Sequence, residues 1–141
     1  MTKSCQVLVA MMLMVVVGCG DGTPPIANRI SCSGLVTLDG LPLSHGVVGF
    51  EPVDPNTGWS ATGAIKNGHF EMVTTASAAG AVIGKYQVRV LSEEQAPAGL
   101  EDKLQRPKSL IPEKYNDINR SGLEVEVTKG MKPIELKLLS Q

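Results

Sequence analysis

The sequence predicts an all-β protein, a single seven-stranded antiparallel β-sandwich, and three observations carry that reading. Apolar and polar residues alternate with period two through most of the chain. Fifteen Gly and nine Pro among 141 residues fall between the alternating runs, as short strands joined by turns require. Helical periodicity is missing, and GLEDKL (Gly99 to Leu104) is long enough for one helical turn at most.

Each strand has its own signature. In GKYQVRVL, Tyr86, Val88 and Val90 oppose Lys85, Gln87 and Arg89. In GLEVEV, Leu123, Val125 and Val127 oppose Glu124 and Glu126. In PIELKLL, Ile134, Leu136 and Leu138 oppose Glu135 and Lys137. One apolar and one polar face mark antiparallel sheets that are solvated on one side. Asn67–Gly68 in AIKNGHFEM and Asp39–Gly40 in TLDGLPL are Asx–Gly pairs between alternating runs, the sequence signal of a tight hairpin. The expected strands are 30–38, 45–51, 59–66, 68–74, 84–91, 122–128 and 133–139. TKGMK separates the last two by a hairpin-length connection. Residues 92–121 are too long for an ordinary loop, and LIPEKY is expected to tuck Ile111 and Tyr115 against the body.

The chain length suits one domain with a real core. Thirteen basic against fourteen acidic side chains leave a formal charge of −1. That balance gives no basic surplus for nucleic acid and no acidic tail.

The N-terminus reads as a targeting segment. Lys3 and the free amine form a short positive region, and Val7 to Val17 is an unbroken apolar run of eleven residues. A membrane-spanning helix needs about 20 such residues, so the run fits the apolar part of a secretory signal peptide. Val16, Val17, Gly18 and Cys19 resemble a bacterial lipobox, with Val16 where Leu is commonest. The resemblance implies cleavage between Gly18 and Cys19, a diacylglycerol thioether on Cys19 and acylation of the new amine. One acyl chain anchors marginally and two or three hold a protein on the membrane. Gly20 after the cysteine, by the same resemblance, favours the outer over the inner membrane. The expected organisation is therefore a signal peptide over 1–18, lipidated cysteine and tether over 19–29, and one β domain over 30–141.

Three cysteines are present. Cys5 leaves with the signal peptide, and Cys32 in ISCSGLVTL is expected to be a small buried hydrophobe.

SGLVTLDGLPLSHGVVGFEP resembles the opening of a carboxypeptidase regulatory-like domain, a transthyretin-like sandwich. NGHFEM and GKYQVRV follow in the order of that fold, and IPEKYNDINRSGLEVEVTKG resembles small bacterial lipoproteins built on this one domain. The likeness covers about residues 30–139 and rests on turn and core positions, so it speaks to fold more than to function.

The remaining polar residues offer few sites. His45 and His69 have no neighbouring cluster of the size zinc requires and read as surface or turn residues. Asp117, Asn119, Ser121 and Gly122 fit positions 1, 3, 5 and 6 of a calcium loop, but position 12 falls on Thr128 instead of a bidentate Glu. Asp54 to Gly58 begins similarly and reaches Ile65. Ordinary turn chemistry explains both stretches. Hydrolases of the transthyretin-like fold carry a C-terminal Tyr-Arg-Gly-Ser, whereas this chain ends ELKLLSQ. Trp59 is either an exposed platform for sugars or a cap on the core, and packing is the commoner fate. The expectation is a non-catalytic envelope lipoprotein without cofactor, held to a membrane through Cys19. Its partner would be an envelope protein or a polysaccharide. An accessory, pilot-like lipoprotein that grips a partner strand at a sheet edge is the alternative, and a hydrolase the disfavoured third.

Overall fold

The computed structural model describes residues 28–56, 59–75, 78–95 and 107–141. The chain is all-β. Its elements are β1 (Arg29–Ile30), β2 (Ser33–Leu38), β3 (Leu41–Pro42), β4 (His45–Pro52), β5 (Ala61–Lys66), β6 (His69–Glu71), β7 (Val73–Thr75), β8 (Ala78–Ala79), β9 (Ala81–Val82) and β10 (Gly84–Leu91). A 3-10 turn (Glu113–Asn116), β11 (Leu123–Val127) and β12 (Ile134–Leu138) complete the order.

One curled sheet runs in the order β11-β10-β4-β5-β6-β2-β12, and the two-residue strands pair beside it. All seven runs marked by sequence alternation form strands close to their expected bounds. The run 68–74 is split at Met72 into β6 and β7; the Met72 N–H donates to the Cys32 carbonyl at 2.8 Å, one step beyond the Ser33↔Glu71 pair. Both Asx–Gly pairs form the expected turns, with φ of 50° and 84° at Asp39 and Gly40 and of 51° and 83° at Asn67 and Gly68. Two consecutive positive φ angles match the right-handed twist of the flanking strands, which Asn, Asp and Gly tolerate best.

Two relationships differ from the sequence reading. β12 pairs with β2 in parallel, from Ile134↔Gly34 to Leu138↔Leu38, in an otherwise antiparallel sheet. And β11 does not form a hairpin with β12 despite the short connection; the two lie at opposite ends of the strand path. The physical reason is the core. Val127 on β11 and Ile134, Leu136 and Leu138 on β12 are all buried. Crossing from one side of the curl to the other covers both inner rows at once, where a hairpin would set them side by side.

The inner rows of the strands meet in one apolar cluster. Phe50 lies between Phe70, in edge contact with ring centroids 6.4 Å apart, and Tyr86 at 5.6 Å. Val36, Val48, Val88, Val90 and Val127 are fully buried around them. Each such side chain contributes about 1.5–3 kcal/mol by leaving water, so the period-two pattern is the main determinant of the fold. Ile111 and Tyr115 do tuck against the body, each 5% exposed.

The register separates two ends. At one end lie Asn28, where the described chain enters, the connection after Pro52, Ile83 and the β11–β12 connection. At the other lie the two Asx–Gly turns, His45, Ser92 and the residues after Leu138.

Candidate functional site

Val16, Val17, Gly18 and Cys19, the lipobox and lipidation residues, lie outside the described residues. What the structure places is the root of the segment that carries them. Asn28 takes a left-handed φ of 59° and its carbonyl accepts the Ile83 N–H at 3.0 Å. Arg29 and Ile30 then pair with Val82 and Ala81. The strand structure thus begins one residue before the expected tether boundary. Cys19 precedes Asn28 by nine residues, which extended chain spans in about 30 Å. Among the described residues no helix is long and apolar enough to cross a membrane.

The surface beside that root is partly apolar. Val53 and Trp59 flank the β4–β5 connection and are 55% and 53% exposed. Trp59 therefore does not cap the core. A shallow groove beside Val53 is lined by Pro52, Val53, Asp54, Ile83, Gly84, Lys85 and Tyr86. Two hydrogen bonds hold its floor: Tyr86 donates its buried hydroxyl to the Val82 carbonyl at 2.8 Å, and the Lys85 carbonyl accepts the Val53 N–H at 3.0 Å. Burial, and then the nearby Cys32 thiol, hold the Tyr86 phenol above its ordinary range.

At the opposite end the register does something that sequence spacing hid. Lys66 on β5 pairs with His45 on β4 and with His69 on β6, so both histidines flank one lysine. His69 and Lys66 are exposed and His45 is half-buried. His45 Nε2 lies 2.8 Å from the Glu93 carbonyl. A carbonyl oxygen only accepts, so this nitrogen carries the proton. Nδ1 faces the Ser44 hydroxyl at 2.9 Å, and the Ser92 hydroxyl donates to the His45 carbonyl at 2.6 Å. His45 thus ties β4 to the start of the long segment after β10. Hydrogen bonds across 47 and 48 residues of chain leave no trace in local sequence.

The calcium-loop residues are placed as turn residues. Asp117 Oδ1 accepts the Asn119 N–H at 2.9 Å, and the Asp117 carbonyl accepts the N–H groups of Arg120 and Ser121. Ser121 turns inward, is 7% exposed, and donates its hydroxyl to the Val88 carbonyl. Among the described residues no group of three or more His, Cys, Asp or Glu could hold a metal ion.

Cys32 is buried at 3% exposure, and loss of solvent around it pushes its thiol up to about 11. It is held in the neutral form at physiological pH, as a packing residue and not a nucleophile.

No family model, curated protein or solved structure matches the chain.

Proposed function

We propose that the chain is a lipid-anchored binding module of the bacterial cell envelope, without catalytic activity or cofactor. Cys19 is the attachment point, the residues after it form a tether, and the β domain holds a protein or polysaccharide partner. In the finer structural reading the domain is a seven-stranded, transthyretin-like sandwich of the carboxypeptidase regulatory-like kind. β11-β10-β4-β5 make one layer and β6-β2-β12 the other, with Phe50, Phe70 and Tyr86 between them.

The observation that carries this reading is the N-terminal order of Lys3, the apolar run Val7 to Val17, and Val16-Val17-Gly18-Cys19. The root of the tether at one end of the sheet supports it, since a short tether at an end leaves the opposite end and the sheet edges open to a partner. Gly20 after the cysteine favours the outer membrane.

Mass spectrometry of the mature protein tests the anchor: the expected N-terminus is an acylated residue 19, and Cys19→Ala should release the protein or leave it unprocessed. An unmodified Met1 terminus in the native protein overturns it. Co-purification from detergent-solubilised envelopes tests the role. Retained glycan supports adhesion, one stoichiometric protein partner supports the accessory alternative, and turnover of hydrolase substrates lost on His45 or His69 replacement overturns the non-enzymatic reading.

A further inference from the structure

The strand path leaves two edges, β11 and β12, with no strand of the described residues paired on their outer sides. The two edges differ in what they accept. Antiparallel pairing of β11 with a second β11 about Val125 sets Glu124 opposite Glu126 twice, and like charges directly opposite are destabilising. β12 has the reverse property. Pairing it with a second β12 about Leu136 sets Glu135 opposite Lys137 on both sides of the axis. The same alignment sets Ile134 opposite Leu138 and ends there, because the Tyr115 hydroxyl already stands on the outer side of the strand at the Leu139 N–H. Every polar position on the outer face meets its opposite charge, and every apolar position meets an apolar one.

Backbone directions agree with this alignment. The Leu138 carbonyl accepts from Asp39 N–H on the β2 side at 2.9 Å. The Leu139 N–H points the other way, to the Tyr115 hydroxyl at 3.0 Å. Alternation then directs the N–H and C=O groups of Glu135 and Lys137 outward, away from β2. In an antiparallel ladder centred on Leu136, Glu135 and Lys137 of opposite chains form the pairs that exchange both N–H···O bonds. The groups that face out are the groups that this register uses. The ladder also has natural stops, since Pro133 has no N–H and the Leu139 N–H is already taken.

We propose that β12 is a self-pairing edge and that two copies of this chain join through it into a closed two-fold dimer with one continuous sheet. The Glu135 and Lys137 side chains are 67% and 76% exposed and now pair with each other at 3.4 Å within one chain. In the dimer each meets the directly opposite residue of the other copy. The dimer is closed because a two-fold contact uses the same edge of both chains, and β11 repels its own copy. The inference does not depend on lipidation.

Sedimentation velocity of the full-length chain, with detergent in excess so that shared micelles are rare, tests it over a concentration series. Wild type should show a monomer–dimer equilibrium. Glu135→Lys and Lys137→Glu each create like-charge pairs on both sides of the axis and should weaken dimerisation about tenfold. An equimolar mixture of the two variants should dimerise again, and so should the double swap Glu135→Lys/Lys137→Glu. Both side chains are exposed, and circular dichroism checks that all the variants remain folded. A wild type that stays monomeric throughout, dimerisation unchanged by either reversal, or weakening without rescue by mixing and swapping overturns the proposal.

Discussion

The Tyr115 hydroxyl accepts the Leu139 backbone N–H at 3.0 Å, across 24 residues of chain, and so joins the 3-10 turn to the end of the last strand. The ring itself is buried, and the Lys114 ammonium lies 4.9 Å from its centroid while donating to the Gln141 carbonyl. One aromatic residue in a long connection thereby secures the C-terminal strand. Tyr115→Phe keeps the ring and removes the acceptor, with an expected loss of about 1 kcal/mol. Tyr115→Ala removes the packing too and should cost about 3–5 kcal/mol. Urea unfolding of the two variants beside wild type reads both values; a Tyr115→Phe stability equal to wild type would show that the hydroxyl contributes nothing, and equal losses in the two variants that the ring adds nothing to it.

His45 offers a test of local opening. Its ring and carbonyl hold Glu93 and Ser92, and Leu110 and Glu94 continue the connection through N–H bonds to the Ser92 and Lys108 carbonyls. In His45→Ala the ring's bond to Glu93 is lost. Hydrogen exchange at the Glu94 and Leu110 amides should accelerate about fivefold or more, the equivalent of about 1 kcal/mol of local stability. Exchange at Val88 and Val90 on β10 should change far less. A uniform acceleration across the sheet would mean that His45 supports the whole fold and not this connection.

Gly34 stands where β2, β6 and β12 converge. A Cβ there would lie 2.5 Å from Phe70 Cζ and press into the Ile134 carbonyl oxygen, which is backbone and cannot step aside. Gly34→Ala should destabilise the domain by about 1–3 kcal/mol through overpacking, despite alanine's ordinary advantage over glycine in a strand. Thermal melting of the variant decides the sign.

The Cys32 thiol makes stability depend on alkaline pH. Its folded pKa of about 11 lies above the ordinary value of 9.0. The protonated form is therefore favoured by folding. Its contribution is complete below pH 9 and is lost as pH rises toward 11, because the unfolded chain releases the proton first. Urea midpoints of wild type should fall between pH 9 and 10.5 more steeply than those of Cys32→Ala. Parallel slopes for the two proteins would rule out Cys32 as the titrating group.

How far these features were legible in the sequence follows from their range. Seven strands and both Asx–Gly turns were readable because alternation and left-handed turn residues are local, as Tyr86, Val88 and Val90 or Asn67 and Gly68 illustrate. The parallel pairing of β12 with β2 was not, since the inner rows of Ile134, Leu136 and Leu138 would suit either direction. The same limit applies to the sites. Asp117 and Asn119 could be read as a turn from their own spacing, whereas the placing of His45 and His69 beside Lys66 is a property of strand register. Trp59 was misjudged as packing because a lone tryptophan carries no neighbours in sequence to show which way it faces.

The parallel pairing of β2 and β12 also sets an order of events. Gly34 and Ile134 are paired neighbours in the sheet although about a hundred residues of chain separate them. Pairings of such long range close late and slow folding. In a chain that emerges N-terminus first, the sheet cannot be completed until Ile134–Leu138 have emerged. β12 is the last of the described strands in chain order, so the topology holds the sheet open beside β2 until that strand is present.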